Sequence, residues 1–516
     1  MTPRCFQSLK ILESAYNNNL IVWSHLYSLS FEPNPNWSRE YPGQEEIHEY
    51  LIDVAHKYKL YKHIRFNTEV EEAEWNEATN TWQTKIIRNG GKEAEFGQRY
   101  TITSDFLVSA VGQLNIPKYP EILGLESFQG KVMHSARWDW DYDLRSKKIG
   151  IIGVGASSVQ IVPELAKVCE SLTVFQRTPS WMVPRGDSQI SPAMRLMYNH
   201  LPFLRRRYRG FLMSIREGTY DAIVDPTSPL ADDFMNLSKL HLSNQLPGDE
   251  NAALCEQLTP RYHVGCKRIL ISDDYFPVFR RPNVNLETDS IQSITPNGVQ
   301  VTNTHHDLDL LVLATGFKST QFMYPIRIRG SNGISIDEIW SSGASAYLGM
   351  TVPNLPNFAM LYGPNTNLGH NSIILMIEAQ SMYINTLISA TIAARKAGKT
   401  LRLEPKQAVL DQYNKEIQHK LRNSAFADPK CNSWYKNEAG LITNNWCGTV
   451  IEYQKKTQAL KWADYEVDGS AKGDLKDKKW GRVIEENIIP SAVLTGLGSV
   501  LLVGLTGLIL RSKIIK

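Results

Sequence analysis

The stretch Lys148-Ile-Gly-Ile-Ile-Gly-Val-Gly-Ala-Ser-Ser-Val-Gln160 decides the fold. Residues 149–152 predict a short buried strand, and Gly153-x-Gly155 follows as a tight turn that opens a helix. Such a unit holds a pyrophosphate on the backbone amides of the helix N-terminus. Ser158 stands where a third glycine or alanine usually lies. The stretch predicts a dinucleotide-binding site, and an ordinary glycine-containing turn is the alternative.

Composition is that of a globular protein long enough for roughly two or three domains. The chain has 516 residues, of which 42% are hydrophobic and 21% are charged, and its net charge is +3. This balance predicts no nucleic-acid partner. The cysteines lack any C-x-x-C or His/Cys ligand spacing, so they predict reduced thiols in a cytosolic environment, with no disulfide framework and no metal site. They are Cys5, Cys169, Cys255, Cys266, Cys431 and Cys447.

The C-terminal stretch 488–510 contains no charged residue. At about 1.5 Å per residue, a helix of this length crosses a hydrocarbon core of about 30 Å. It predicts a single-pass tail anchor that follows a polar linker over residues 461–487, and a buried core helix is the alternative. Basic residues are more numerous before the stretch than after it, which favours a catalytic body facing the cytosol. The endoplasmic reticulum is the candidate membrane.

The type of dinucleotide is indicated by the end of the next predicted strand, residues 172–177. Sites for NAD place a carboxylate about twenty residues after the glycine turn, whereas an arginine there accommodates the 2′-phosphate of NADP. Here the strand ends in Gln176-Arg177 and has no carboxylate. The sequence therefore favours NADP, and an arginine that only faces solvent is the alternative.

Hydrophobic periodicity predicts the remaining elements. The apolar stripe of residues 47–58 predicts an amphipathic helix, and the segments 66–75 and 82–87 predict a β-hairpin. Residues 105–112 and 309–316 share one design, an apolar strand followed by glycine, and together predict two nucleotide-binding lobes. Residues 188–260 read as helical and include Arg205-Arg-Arg, interpreted as a solvated face. Residues 372–394 predict a long, largely buried helix.

The stretch Phe128-Gln-Gly-Lys-Val-Met-His134-Ser-Ala-Arg-Trp138-Asp139 resembles the fingerprint of Baeyer–Villiger monooxygenases, flavin enzymes that convert ketones to esters or lactones. Related flavin monooxygenases that oxidise nitrogen or sulfur usually carry Tyr or Phe in place of Trp138. Further matches extend the resemblance over roughly residues 24–455. They are Ser24-His-Leu-Tyr-Ser, Phe66-Asn-Thr-Glu-Val70, Phe175-Gln-Arg-Thr-Pro179, Gly265-Cys-Lys-Arg268, Ala314-Thr-Gly-Phe317 and Gly363-Pro-Asn-Thr-Asn-Leu-Gly-His370.

The resemblance implies FAD and NADPH as cofactors, and O2 with a small organic molecule as substrates. Arg268 would reach the flavin and stabilise an anionic C4a-peroxide, a role that suits a permanently charged guanidinium. The fingerprint residues His134, Trp138 and Asp139 join Arg268 as candidate catalytic residues. The implied NADPH residues are Gly153, Gly155, Ser157, Ser158, Gln160, Gln176, Arg177, Thr178, Lys267, Thr315 and Gly316. The implied FAD residues are Val70, Ala110, Gly112, Asn365 and Leu368.

The chain departs from the family pattern at its start. The family opens with a first glycine-rich unit for the FAD pyrophosphate, which is missing before His25, and Ile21 stands where the family has a carboxylate. An N- or S-oxygenating enzyme and an inactive remnant without the FAD site therefore stay open as alternatives. The sequence leaves the oligomeric state open.

The predicted fold class is α/β, with two Rossmann-like domains of which the N-terminal FAD domain is incomplete, a helical insertion and a C-terminal transmembrane helix. The expected order is a partial FAD domain (1–145), an NADP domain (146–330) with a helical insertion (188–260), a return segment that completes the FAD domain (331–460), the linker (461–487) and the transmembrane helix (488–510).

Overall fold

The computed structural model describes residues 22–88 and 99–483. Two expectations therefore lie outside the described residues: the replacement of a carboxylate by Ile21 and the transmembrane helix over residues 488–510. Within the described ranges, one helix, Ile373–Lys396, is long and apolar enough to cross a membrane, and half of its most apolar window is buried inside the protein.

Thirteen α-helices lie within the described ranges. They are α1 Ser24–Tyr27, α2 Gln44–Lys57, α3 Ala156–Val168, α4 Pro192–His200, α5 Pro202–Gly218, α6 Tyr220–Val224, α7 Pro229–Gln245, α8 Ala252–Leu258, α9 Tyr275–Val278, α10 Ile336–Ile339, α11 Ile373–Lys396, α12 Gln407–Arg422 and α13 Val450–Thr457. The predicted amphipathic helix (α2), the helical insertion (α4 to α8) and the long helix (α11) are confirmed.

Twenty β-strands lie within the same ranges. They are β1 Thr68–Asn76, β2 Thr81–Arg88, β3 Arg99–Ser104, β4 Leu107–Ser109, β5 Lys131–His134, β6 Lys148–Ile152, β7 Ser171–Phe175, β8 Met182–Val183, β9 Leu270–Ile271, β10 Val284–Glu287, β11 Ile291–Thr295, β12 Gly298–Val301, β13 His305–Asp307, β14 Leu310–Leu313, β15 Arg327–Arg329, β16 Phe358–Met360, β17 Arg402–Pro405, β18 Ala459–Leu460, β19 Tyr465–Asp468 and β20 Lys478–Lys479.

Local capping chemistry sets several helix starts. The Ser191 side chain caps α4, and Thr449 forms a capping box with Glu452 at the start of α13. These side chains satisfy amides that have no partner within the helix. Helix α3 differs, because Gly155 precedes it and contributes no side-chain cap. Its first amides are therefore left for another acceptor.

A five-stranded parallel sheet, in the order β10-β7-β6-β14-β5, forms the lobe that contains the glycine turn. All four residues of β14 are buried, and so are Ile149 and Ile151 of β6, as expected for parallel strands covered on both faces. Helix α3 packs against one face, and the antiparallel sheet β11-β12-β13 contributes to the core on the other. The buried strand predicted at residues 149–152 is confirmed.

The other lobe is built from separate sheets. Strands β1 and β2 form the predicted antiparallel hairpin, within a four-stranded sheet of order β15-β1-β2-β3. Strand β4 pairs in parallel with β16, and these two form a sheet of their own in the described part of the chain. Val108, Val111 and Leu114, on or just after β4, are exposed. The prediction of two lobes is confirmed. In the second lobe, β4 and β16 are the only strands of their parallel sheet among the described residues.

Three predictions about the chain's organisation are wrong. Strand β5 belongs to the sheet of the glycine turn, so that lobe begins before residue 146. Residues 461–483 are not a linker, because β19 pairs with β17 and buries Tyr465. Cys266 and Cys431 form a disulfide, so these two cysteines are not reduced thiols. Each feature joins residues far apart in the chain, which local composition does not reveal.

Candidate cofactor and active site

The glycine turn has the geometry that a bound phosphate requires. Gly153 has a φ of +112°, and a Cβ there would collide with the carbonyl oxygen of Ala314. A Cβ at Gly155 would meet nothing within 4 Å, so open space lies beside the start of α3. The Ser158 hydroxyl is fully buried and has no hydrogen-bond partner among the described residues. The turn therefore offers free amides, and the polarity of the helix N-terminus favours an anion.

The carboxyl ends of the parallel strands gather most of the predicted cofactor residues at one edge. Register pairs His134 with Leu313, Leu313 with Ile152, and Ile152 with Phe175. The residues that follow these strand ends are Ser135, Ala314 to Gly316, Gly153 and Gln176 to Thr178. Ligands of open α/β sheets bind at this edge. The structure thus brings His134, Gly153, Thr315 and Arg177 to one crevice.

Two cations lie together beyond the end of β7. The Lys267 ammonium lies 5.1 Å from the Tyr262 ring centroid, a cation–π contact. Burial and, to a smaller extent, the nearby charge of Arg177 together lower the pKa of Lys267 to about 8. Arg177 itself is exposed, and Thr178 beside it is partly buried. Such a pair of cations suits a phosphate, as predicted from Arg177.

Other predicted NADPH residues serve the fold through their side chains. The Gln176 amide donates to the Gln257 carbonyl at 2.9 Å, and the Gln160 amide donates to the Ala156 carbonyl at 2.8 Å. Ser157, in the first turn of α3, is partly buried. Gln176 holds the end of β7, and Gln160 holds the first turn of α3; both elements border the crevice. A contact of their side-chain amides with a cofactor stays a prediction.

The low pKa of Lys267 predicts a pH dependence. With a pKa of about 8, the charged fraction of Lys267 falls from about nine tenths at pH 7 to about one tenth at pH 9. The dissociation constant of NADPH should therefore rise by about tenfold over this range, while that of NADH changes little. Titration calorimetry at both pH values measures the effect.

The matched control is Lys267→Arg, because a guanidinium stays protonated throughout this range. Its NADPH affinity should be nearly independent of pH. An equal pH slope in the wild-type protein and in Lys267→Arg would contradict the assignment.

The charge of Arg268 acts on three tyrosine phenols, of which Tyr435 is fully buried and Tyr27 and Tyr362 are partly buried. Burial raises the pKa values of Tyr27, Tyr362 and Tyr435, to about 12 for Tyr435, and the Arg268 charge opposes each shift. The phenols come from α1, from the segment after β16 and from the loop before α13. They are neutral at physiological pH, so they exclude water without cancelling the guanidinium charge. Burial also lowers the pKa of Arg216, and the Arg268 charge adds to this shift.

The three fingerprint residues lie in different environments. His134 is 2% exposed, its Nδ1 accepts from the Ala136 amide at 3.1 Å, and burial lowers its pKa. Trp138 is buried in the core of the sheet lobe. Asp139 pairs with Lys131 at 2.5 Å, near the surface. The His134 ring packs against Tyr119 and Phe317, with ring centroids 5.4 Å and 6.0 Å away. None of these contacts supports a catalytic role for His134, Trp138 or Asp139, which stays a prediction.

The residues predicted to hold FAD divide into open and buried positions. Ala110 and Gly112, just after β4, are exposed, and Gly112 has a φ of +72° with open space around it. Val70 is partly buried at an irregularity of β1. Asn365 and Leu368 are buried, and the Asn365 amide donates to the Ile442 carbonyl at 2.8 Å. This hydrogen bond joins the loop that contains Asn365, at the predicted FAD site, to the loop that contains Ile442.

Comparison with known proteins gives the family. The chain is 48% identical to the FAD-binding monooxygenase ktnD of Aspergillus niger over 92% of its own length and 78% of that protein. The chain belongs to the flavin-dependent monooxygenases of the Baeyer–Villiger type. It is also 37% identical to a Baeyer–Villiger monooxygenase of Streptomyces coelicolor, over 86% of this chain and 83% of the relative.

Two further comparisons agree with this family. Residues 24–215 match the model of the flavin-binding monooxygenase-like family. A solved structure of OTEMO in complex with FAD and NADP is 25% identical, with a TM-score of 0.74 over 88% of this chain and 92% of the other. The predicted family and the enzyme class are confirmed.

Two polar clusters of this monooxygenase were not predicted from the sequence. Around the Asn365 loop, the Gln113 amide donates to the Tyr362 carbonyl at 2.9 Å, and the Asn444 amide donates to Gln113 Oε1 at 2.6 Å. Asn367 Nδ2 and Asn444 Oδ1 are buried without a hydrogen-bond partner among the described residues. Buried polar atoms of this kind require a partner, and a bound ligand can supply it.

The second cluster centres on Glu217, at the end of α5. Its carboxylate accepts from the Asn371 amide at 2.8 Å and from the Ile451 amide at 3.2 Å, and it lies 3.1 Å from His370 Nε2. Burial alone would raise the pKa of Glu217, but His370 and these donors lower it overall. The carboxylate joins the insertion to the loop before α11 and to the start of α13. The only sequence signal was the position of His370 at the end of the resemblance motif.

Proposed function

We propose that this monooxygenase uses FAD, NADPH and O2 to insert one oxygen atom into a small organic ketone, giving an ester or lactone. The observation that carries the proposal is the position of Arg268. It brings a fixed positive charge among neutral phenols, beside the crevice that suits NADPH. The relatives named Baeyer–Villiger monooxygenase and the solved complex with FAD and NADP support the same reaction and the same cofactors.

The residues present fit both cofactors. The amides at the start of α3 would hold the NADPH pyrophosphate, and Arg177 with Lys267 would hold its 2′-phosphate. The unpartnered polar atoms of Asn367 and Asn444 mark where polar groups of FAD would bind. The bound flavin, once reduced by NADPH, supplies the activation of O2.

The chain's own residues supply positioning and charge. The guanidinium of Arg268 supplies a fixed positive charge that stabilises negative charge developing on oxygen as the ketone is attacked. Tyr362 and Tyr435 lie near enough for its charge to act on their pKa values, and a partly dry environment strengthens its electrostatic effect. His134, with its lowered pKa, is neutral at pH 7 and holds the turn after β5 through Ala136.

The proposal is tested with the purified full chain. After FAD is added and unbound FAD is removed, the protein should keep a visible flavin absorption band and oxidise NADPH. A panel of cyclic and aryl ketones under 18O2 should yield esters or lactones that carry one labelled atom. Thioanisole and a tertiary amine serve as probes of the alternative. Loss of the flavin band would contradict FAD binding, and a sulfoxide or N-oxide without any ester would indicate the N- or S-oxygenating reaction.

We propose further that residues 488–510 anchor the protein in a membrane, with the catalytic body facing the cytosol. The uncharged length of that stretch and the basic residues before it support the proposal. The Cys266–Cys431 disulfide weighs against a cytosolic body, since stable disulfides favour oxidising compartments. Protease protection of isolated membranes decides the orientation, and release of the protein by alkaline carbonate would contradict the anchor.

A further inference from the structure

The disulfide joins two segments that the proposed reaction needs. Cys266 and Cys431 are separated by 165 positions, and their Cα atoms lie 6.4 Å apart. Cys266 lies two positions before Arg268, in the segment 263–268, which we call the arginine segment. Cys431 lies four positions before Tyr435, in the segment 428–436, which we call the tyrosine loop. The bond therefore connects the backbone that carries the cation to the backbone that carries one of its phenols.

The two side chains that the disulfide brings together also affect each other. Tyr435 is fully buried and packs against Phe426 and Trp434, with ring centroids 5.6 Å and 4.6 Å away. Burial raises the pKa of Tyr435, and the Arg268 charge opposes that shift, which requires the two groups to be near each other. The position of the tyrosine loop thus sets part of the surroundings of Arg268.

Polar contacts between the two segments are few among the described residues. The His263 amide donates to the Asp428 carboxylate at 2.9 Å. The other polar contacts of the tyrosine loop are internal or go elsewhere: Lys436 donates to the Asp428 carbonyl at 3.0 Å, and the Ser319 hydroxyl donates to the Trp434 carbonyl at 3.1 Å. Buried residues of both segments also belong to one hydrophobic core: Val264, Cys266, Cys431 and Tyr435. The disulfide adds a covalent connection to this packing.

The opposite side of the arginine segment is already fixed. Gly265 has a φ of +92°, and a Cβ there would collide with the carbonyl oxygen of Ile223 in α6. Because the backbone lies directly against α6, the segment cannot relax toward the insertion. Any loosening must occur on the side of the tyrosine loop, where the disulfide lies.

We propose that the Cys266–Cys431 disulfide is a positioning crosslink of the active site, which holds the tyrosine loop against Arg268 so that NADPH oxidation stays coupled to oxygenation. The inference rests on the proposed function for its activity readout. Without the bond, the loop and Tyr435 move away, water reaches the guanidinium, and NADPH is oxidised with release of hydrogen peroxide in place of ester. Reduction of the flavin by NADPH is unaffected, since the arginine segment, which also carries Lys267, stays fixed against α6.

The test uses the full chain and three variants, Cys266→Ser, Cys431→Ser and the double variant. Non-reducing peptide mapping of the wild-type protein should recover a peptide pair joined through Cys266 and Cys431. Ester formed per NADPH oxidised should fall by about 10- to 100-fold in each variant, the upper figure being the loss when a catalytic group is misplaced by about 1 Å. The double variant should lose no more than either single variant, because all three break one bond. Cys255→Ser, a change at a free and partly exposed cysteine, should behave as wild type.

Hydrogen–deuterium exchange provides a readout that is independent of turnover. Exchange in the tyrosine loop should rise in the three variants and stay unchanged in Cys255→Ser. Free thiols at both positions in the wild-type protein, or unchanged exchange and coupling in variants that bind FAD normally, would overturn the proposal. If a variant fails to fold, the folded wild-type protein reduced with a phosphine and then alkylated gives the same comparison. If the wild-type protein forms no ester, the proposed function fails, and the mapping and exchange results still decide the crosslink.

Discussion

Replacing Arg268 with alanine should abolish oxygenation of a ketone while the bound flavin is still reduced by NADPH. In the proposed reaction the guanidinium stabilises the developing oxyanion, and removing one such group costs about 10²–10³-fold in turnover. Reduction should depend on the proposed NADPH crevice around Gly153 and Lys267, which this substitution leaves in place. Stopped-flow absorbance gives the reduction rate, and gas chromatography gives the yield of ester.

Two controls separate charge from geometry in this experiment. Arg268→Lys keeps the positive charge but loses the planar fork, so it should retain more activity than alanine and less than the wild-type protein. Arg145→Ala removes an arginine that pairs with Asp143 ahead of β6, at the sheet edge opposite the crevice, and it should leave turnover unchanged. Ester formation by Arg268→Ala at the wild-type rate would show that another group stabilises the oxyanion.

The lobe that contains the glycine turn could be predicted from the sequence because its signals are local. The buried residues Ile149 and Ile151 and the partly buried Ile152 lead directly into Gly153, whose backbone conformation few other residues adopt. The cations at Arg177 and Lys267 could be placed together only through the resemblance, since 90 positions separate them in the chain. Burial and the resulting low pKa of Lys267 became visible only in the folded protein.

The surroundings of Arg268 could not be predicted in the same way. They depend on contacts between distant segments: Tyr27 near the start, Tyr362 after β16 and Tyr435 beyond α12. The cysteines illustrate the limit most clearly, because sequence spacing excludes a zinc site or a redox motif but carries no information on a pair 165 positions apart. Similarly, the strand β19 in the supposed linker is four residues long and gains its stability from β17. In both cases contacts between distant segments determine the structure, and a prediction from local composition is therefore wrong.

Replacing Arg177 with alanine should weaken NADPH binding by about 10- to 100-fold, the range expected when one charge-assisted hydrogen bond to a phosphate is lost. Arg177 is exposed at the end of β7, and its charge acts on Lys267, so we expect both cations to contact the same phosphate. NADH lacks the 2′-phosphate, and its dissociation constant should therefore stay nearly unchanged. Fluorescence titration of the flavin-loaded protein with each dinucleotide measures the two constants.

The contrast between the dinucleotides is what makes this test specific. A general disturbance of the crevice would weaken NADH and NADPH together, whereas loss of a phosphate contact weakens NADPH alone. Arg177→Lys should recover part of the lost affinity, because a charge remains within reach of the phosphate. The ratio of the two constants should also become less sensitive to salt in Arg177→Ala, since an exposed charge is screened over about 10 Å at 0.1 M salt. An equal loss of affinity for NADH and NADPH would show that the 2′-phosphate does not bind at Arg177. Lys267 would then have no role in binding that phosphate.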